Sequence, residues 1–183
     1  MPKTKIAVVV GSLRKDSFNK QLAHALAKLG PSDFEFDFLE IGDLPLYNQD
    51  DDKNQAPPVK RLKDAINAAQ GVLFVTPEYN RAIPGVLKNA IDHASRPYGQ
   101  NAWAGKPAGL IGVSIGAIGT AIAQQNFRSV LAYLDMPTLG QPEVFIQHKE
   151  GMFTEGGEIG IDDTKKFLQK WMDRYVLWVK KHG

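Results

Sequence analysis

The chain has 183 residues, 43% of them hydrophobic and 23% charged, which fits one folded domain spanning residues 1 to 183 and excludes a disordered or fibrous class. Its 22 basic residues against 20 acidic ones leave a net charge of +2, too weak to mark a nucleic-acid surface. No cysteine is present, so disulfides, thiolate metal sites, iron–sulfur clusters and cysteine nucleophiles are excluded, and redox chemistry needs a bound cofactor. The apolar stretch after Lys5 is five residues long, too short for a signal-peptide core or a spanning helix, and cytoplasmic residence without membrane association is the expectation.

Ile6-Ala7-Val8-Val9-Val10 is a continuous β-branched run ending in glycine, the pattern of a parallel strand covered on both faces. Residues 18 to 29 carry Phe18, Leu22, Ala25, Leu26 and Leu29 near helical spacing, and Gly30-Pro31 stops the helix. Phe34 to Ile41 alternates aromatics with acids and reads as an edge strand, one face wetter than the other. Residues 42 to 56 lack periodicity and read as a long loop, with Asp50-Asp51-Asp52 as a solvated charge run. Pro57-Pro58 opens a helix to about Gln70, and Gly71 to Thr76 is a second buried strand. Pro84 begins a helix to about Ser95, with Val86, Leu87, Ala90, Ile91 and Ala94 on one face, and residues 96 to 106 connect onward. Ala108 to Ile115 reads as the fourth strand, followed by a helix ending near Asp135. A fifth strand is expected within residues 138 to 146, then an irregular segment at 150 to 160 and a last helix from about Asp162 to Lys180. Strands alternating with helices imply a three-layer α/β sandwich, and five units favour a flavodoxin-like parallel sheet in the order 2-1-3-4-5.

In that order the first and third strands meet at the switch point, where ligands sit beyond the carboxyl ends. The first loop there, Gly11-Ser12-Leu13-Arg14-Lys15-Asp16-Ser17-Phe18-Asn19, combines hydroxyls, a guanidinium and an amide at a helix N-terminus, a natural anion site. It is neither Gly-x-Gly-x-x-Gly nor a Gly-Lys-Ser/Thr loop, and its plain alternative is a turn with Ser17 as N-cap and Arg14 solvated. Pro77-Glu78-Tyr79-Asn80 forms a short polar loop able to offer backbone groups to a flat heterocycle, although Glu78 or Asn80 could instead cap a turn. Ser114-Ile115-Gly116-Ala117-Ile118-Gly119 supplies small residues and accessible backbone donors, with a strand-to-helix turn as its alternative. His24, His93, His148 and His182 lack metal-ligand spacing and read as surface or packing residues; no Gly-x-Ser-x-Gly elbow is present.

At these loops the sequence resembles the NADPH-dependent FMN reductase family, especially its bacterial quinone and chromate reductase branch, over nearly the whole chain. The resemblance rests on residues 11 to 19, on Thr-Pro-Glu-Tyr-Asn at 76 to 80, and on Pro-Gly-x-Leu-Lys-Asn-Ala-Ile-Asp at 84 to 92. It implies noncovalent FMN, NADPH or NADH as electron donor, small-molecule acceptors, and assembly into a homodimer or homotetramer. Carried over by position, Ser12, Arg14, Ser17, Phe18 and Asn19 would surround the phosphate and ribityl chain. Pro77, Glu78, Tyr79 and Asn80 would border the isoalloxazine, with Ser114, Gly116 and Ala117 approaching from the fourth strand. No side-chain acid or base is assigned, since the flavin would carry the hydride in a ping-pong relay to quinone, with chromate as a further acceptor. A flavodoxin-type electron carrier and a flavin-binding redox sensor are the competing readings, the first disfavoured by the absence of an acidic balance. A neighbouring subunit could cover the open flavin face through Tyr98, Trp103, Phe127, Arg128 or Tyr133, which read equally well as core or surface residues.

Overall fold

The computed structural model describes residues 2–183. Five strands, β1 (Thr4–Val10), β2 (Phe34–Phe38), β3 (Gly71–Val75), β4 (Ala108–Ser114) and β5 (Phe145–Gln147), form one sheet in the order β2-β1-β3-β4-β5. Every neighbouring pair runs parallel. Five helices cross between or follow them: α1 (Phe18–Leu29), α2 (Pro57–Ala68), α3 (Gly85–Ala94), α4 (Ala121–Tyr133) and α5 (Asp162–His182).

Alternation along the strands divides the core into two layers. Ile6 and Val8, with Leu73, Val75, Ile111 and Val113, face α1 and α5. Ala7 and Val9, with Val72, Phe74, Ala108 and Leu110, face α2, α3 and α4. Because both faces of β1, β3 and β4 are covered, their sequences are apolar at consecutive positions. The edge position of β2 explains its mixed pattern: Phe34 is buried, while Glu35 and Asp37 are exposed.

Two expectations change in detail. The 42 to 56 connection is not loop throughout, because Gln49–Asn54 forms a 3₁₀ turn whose first N–H groups are served by the Asn48 side chain, which accepts from Asp50 N at 3.2 Å. The fifth strand lies at the far end of its expected range and beyond it, at Phe145–Gln147. Upstream, Thr138 makes one isolated parallel bridge to Ala108, and the ladder lapses across Gly140 to Pro142, where proline has no N–H to donate. No helix among the described residues is long and apolar enough to cross a membrane.

Candidate functional site

The first loop leaves β1 at Gly11, whose N–H donates to Val75 O at 2.9 Å and whose missing Cβ leaves room for Thr76 Oγ1, 2.6 Å from where it would lie. The loop therefore rises directly over the junction of β1 and β3. Ser12 is buried, whereas Leu13, Arg14, Lys15 and Asp16 are exposed. Arg14 donates to Asp16 O and lies 5.0 Å from the centroid of the Phe18 ring.

The base of the same loop is built differently. Ser17 is the N-cap of α1, its Oγ accepting from Lys20 N at 3.3 Å. Asn19 is buried and clamps α1 to β4: its Nδ2 donates to Val113 O at 2.8 Å and its Oδ1 accepts from Val113 N at 3.0 Å. The N–H groups of Phe18 and Asn19, first in the helix, have no carbonyl one turn back to receive them, and they point out of the N-terminus.

The second loop turns at Tyr79 to Ala82, which exchange two backbone hydrogen bonds of 2.9 Å. Asn80 and Arg81 occupy the left-handed region at φ 50° and 66°, the conformation of a tight type I′ turn. Glu78 points away from the turn: its Oε2 accepts from Ile122 N and Ala123 N, both at 3.0 Å, and its Oε1 lies 3.4 Å from Arg81 Nη1. A carboxylate thus seats the N-terminus of α4, which carries no cap of its own. That bond also ties the second loop to the third, since α4 begins where the third loop ends.

In the third loop Ser114 Oγ donates to Gly119 O at 2.6 Å. Gly119 has φ 60°, and a Cβ there would meet Ile146 N at 2.7 Å, so its glycine is required by β5. Gly116 and Ala117 are exposed, and Ile115 is 76% exposed beside them.

One participant escaped the sequence reading. His148 donates its N–H to Ser114 O at 2.8 Å and stacks on Phe18, with ring centroids 3.7 Å apart. The available signal was the parallel register, which pairs Ser114 with Gln147 and so brings the next residue to the same edge. Of the other histidines, His93 is buried with Nε2 2.8 Å from Pro45 O, and His24 is exposed and stacks on Phe38. Among the described residues no group of three or more acidic or histidine side chains is placed to hold a metal.

The first two loops share a cavity of about 230 Å³ walled by Gly11 to Arg14 on one side and by Tyr79 and Pro84 to Val86 on the other. Pro84 to Val86 are the start of α3, which has no side-chain cap, so a second helix N-terminus opens onto the same space. The uncapped N–H groups at the start of α3, the exposed Arg14 and the exposed Tyr79 meet there.

Residues 4–151 match the model of the NADPH-dependent FMN reductase family. The chain belongs to that family. It is 60% identical over 176 residues, 96% of each chain, to a 2-hydroxy-1,4-benzoquinone reductase of a Burkholderia species, and 51% identical over 177 residues, 96% of this chain and 94% of the other, to a quinone reductase of Pseudomonas putida. Among solved structures it superposes on FerB, a flavoenzyme NAD(P)H:(acceptor) oxidoreductase from Paracoccus denitrificans, with a TM-score of 0.95 at 47% identity, covering 98% of this chain and 99% of FerB. The flavodoxin-like fold and NAD(P)H-dependent FMN enzymology of the family therefore apply to this chain, as its loops implied.

The residues fit FMN. A phosphate monoester needs oriented N–H donors and a cation, which the N-terminus of α1 and the exposed Arg14 offer, and the cavity between the first loop, Tyr79 and the start of α3 adds an aromatic wall. Of the residues that read equally well as a subunit-facing cover or as core, Trp103 and Phe127 are core: both are fully buried, flanking Phe74 at 5.6 Å and 4.9 Å. Of the same group Tyr98 and Tyr133 are 89% and 84% exposed, and Arg128 donates to Leu139 O at 3.0 Å and pairs with Glu143.

Proposed function

We propose that this protein is a cytoplasmic NAD(P)H-dependent quinone reductase in which FMN is seated by the loop at residues 11 to 19. The observation that carries the reading is the cavity shared by that loop, Tyr79 and the start of α3, taken with membership of the family. FMN, when bound, supplies the hydride-accepting and hydride-donating chemistry. Ser12, Arg14, Ser17, Phe18 and Asn19 hold the phosphate and ribityl end, the first two through side chains and the others chiefly through the N-terminal N–H groups of α1. Pro77, Glu78, Tyr79 and Asn80 supply the rigid wall of the ring slot, and Ser114, Gly116 and Ala117 its opposite lip.

The second and third loops carry exposed apolar side chains. Tyr79 is 52% exposed, Ile115 76% and Ile118 44%, a setting that favours a flat, weakly polar acceptor such as a quinone over a strongly hydrated one. The relatives named for benzoquinone and quinone reduction support the same acceptor class. Donor and acceptor use this one site in turn, so turnover is ping-pong, and small oxyanions such as chromate are secondary acceptors. A homodimer or homotetramer completes the proposal, with the exposed Tyr98 and Tyr133 as contact residues.

The test is purification followed by reconstitution and steady-state assay. Flavin absorbance, parallel double-reciprocal lines with NAD(P)H and benzoquinone, and a multimeric mass by light scattering are expected. Protein that neither retains nor rebinds FMN overturns the reading; FMN-loaded protein that fails to oxidise NAD(P)H with any quinone converts it to an electron carrier or sensor.

A further inference from the structure

A second cavity of about 250 Å³ lies at the carboxyl ends of β1 and β2, on the α1 side of the sheet. It shares Ser12 and Leu13 with the anion cavity, so one loop separates the two spaces. Its other polar and aromatic walls are Lys20 and His24 from α1, and Phe38 and Glu40 from the end of the edge strand. None of these serves the packed core: Phe38 remains 37% exposed, and His24 is exposed and stacked on it at 4.1 Å with planes inclined 19°.

We propose that this cavity receives the adenosine half of the nicotinamide donor, with Lys20 recognising a 2′-phosphate. The proposal rests on the reductase reading above and adds to it the site that selects the donor. Position supplies the first argument. In doubly wound sheets nucleotides lie beyond the carboxyl ends of the strands, and this cavity opens there beside the first loop. Glu40 follows β2 by two residues, and one of its oxygens accepts from Gly42 N at 2.9 Å, which fixes the carboxylate at the rim.

Chemistry supplies the second. An exposed aromatic pair offers a flat face to a purine, and such stacking tolerates an edge strand because it asks only for a π surface. Charge supplies the third. The groups facing the cavity are Lys20 and His24 on α1 and Glu40 opposite, with Arg14, Lys15 and Asp16 on the loop between the two spaces. A ribose diol needs only the carboxylate, whereas a 2′-phosphate needs the ammonium that Lys20 brings to the cavity wall. NADPH is therefore the preferred donor.

The experiment titrates adenosine 2′,5′-bisphosphate and AMP into FMN-loaded protein by calorimetry, then compares donor kinetics. The bisphosphate should bind at least about tenfold more tightly than AMP, and Lys20→Ala should remove that difference while Lys20→Arg keeps most of it. His24→Ala and Phe38→Ala should weaken both ligands alike. In turnover Lys20→Ala should raise KM for NADPH about tenfold and leave KM for NADH and the quinone unchanged. Equal binding of the two nucleotides, or an unchanged ratio in Lys20→Ala, overturns the assignment. Failure of the reductase reading looks different: no quinone-dependent oxidation of either nicotinamide, whatever the nucleotide titration gives.

Discussion

The tip and the base of the first loop lie within one short segment and answer to different demands. At the tip, Arg14, Lys15 and Asp16 are exposed and touch little beyond the loop itself and the Phe18 ring. At the base, Ser17 caps α1 and Asn19 joins α1 to β4 through both backbone groups of Val113. Residues of similar polarity thus divide into those free to meet a phosphate and those that make the place where it is met. The division predicts that substitutions a few positions apart fail in different assays.

Asn19→Ala should give the largest effect. It leaves the buried N–H and C=O of Val113 unpaired, at about 1–3 kcal/mol each, so a loss of about 2–5 kcal/mol in urea unfolding is expected. Unfolding midpoints unchanged by this substitution would break the comparison, because the base would then be dispensable. Arg14→Ala should move the other assay. FMN affinity should fall by about 1.5–3 kcal/mol, the usual worth of a charge-assisted bond, while stability without FMN shifts by no more than about 0.5 kcal/mol. A flavin titration alongside an unfolding curve separates the two outcomes. Glu78→Ala comes next: removing the carboxylate from the N-terminus of α4 should cost about 0.5–2 kcal/mol of stability. Its flavin affinity should change less than that of Arg14→Ala, since the side chain is engaged by the N-terminus of α4.

The same division shows what was legible in the sequence. The sheet order and helix boundaries follow from apolar runs and punctuating Gly and Pro, signals carried by adjacent residues, and β1, β3 and α1 lie where those signals put them. The fifth strand was misplaced because only Ile146 of its three residues is buried, so no periodicity could build up. The loops after β1, β3 and β4 also lie where the ends of the apolar runs put them. Side-chain direction was not legible: Asn19 meets a partner 94 positions away and Glu78 meets partners 44 and 45 positions away, and no local spacing encodes such pairs. Trp103 and Phe127 stay open between core and cover in the sequence for a related reason, since an aromatic in a connection or on a helix reads alike whether it turns inward or outward.

The smallest effect tests how the segment after β5 is held against the base of the loop. Glu158 accepts from Thr154 Oγ1 at 2.7 Å and meets Lys28 Nζ of α1 at 2.9 Å, and Lys28 also donates to Gly156 O. The Thr154 hydroxyl first, and Lys28 second, hold this exposed carboxyl down from 4.5 to about 2. A lowered carboxyl stabilises the folded arrangement fully above its unfolded value and loses that contribution as the pH falls toward the folded one. The turn at 154 to 158 should therefore stay docked at pH 4.5 and release only as pH approaches about 2, read from the amide NMR signals of Thr154 and Gly157. Glu158→Gln should remove that titration and loosen the turn at neutral pH without lowering the global unfolding midpoint measurably, as expected for an exposed ion pair. Because His148 of the same segment stacks on Phe18, flavin release across the same acid interval in the native chain, shifted in Glu158→Gln, would show that the docked segment helps hold the base of the loop. Flavin retention indifferent to Glu158 would leave that task to the Asn19 clamp and the Phe18 stack alone.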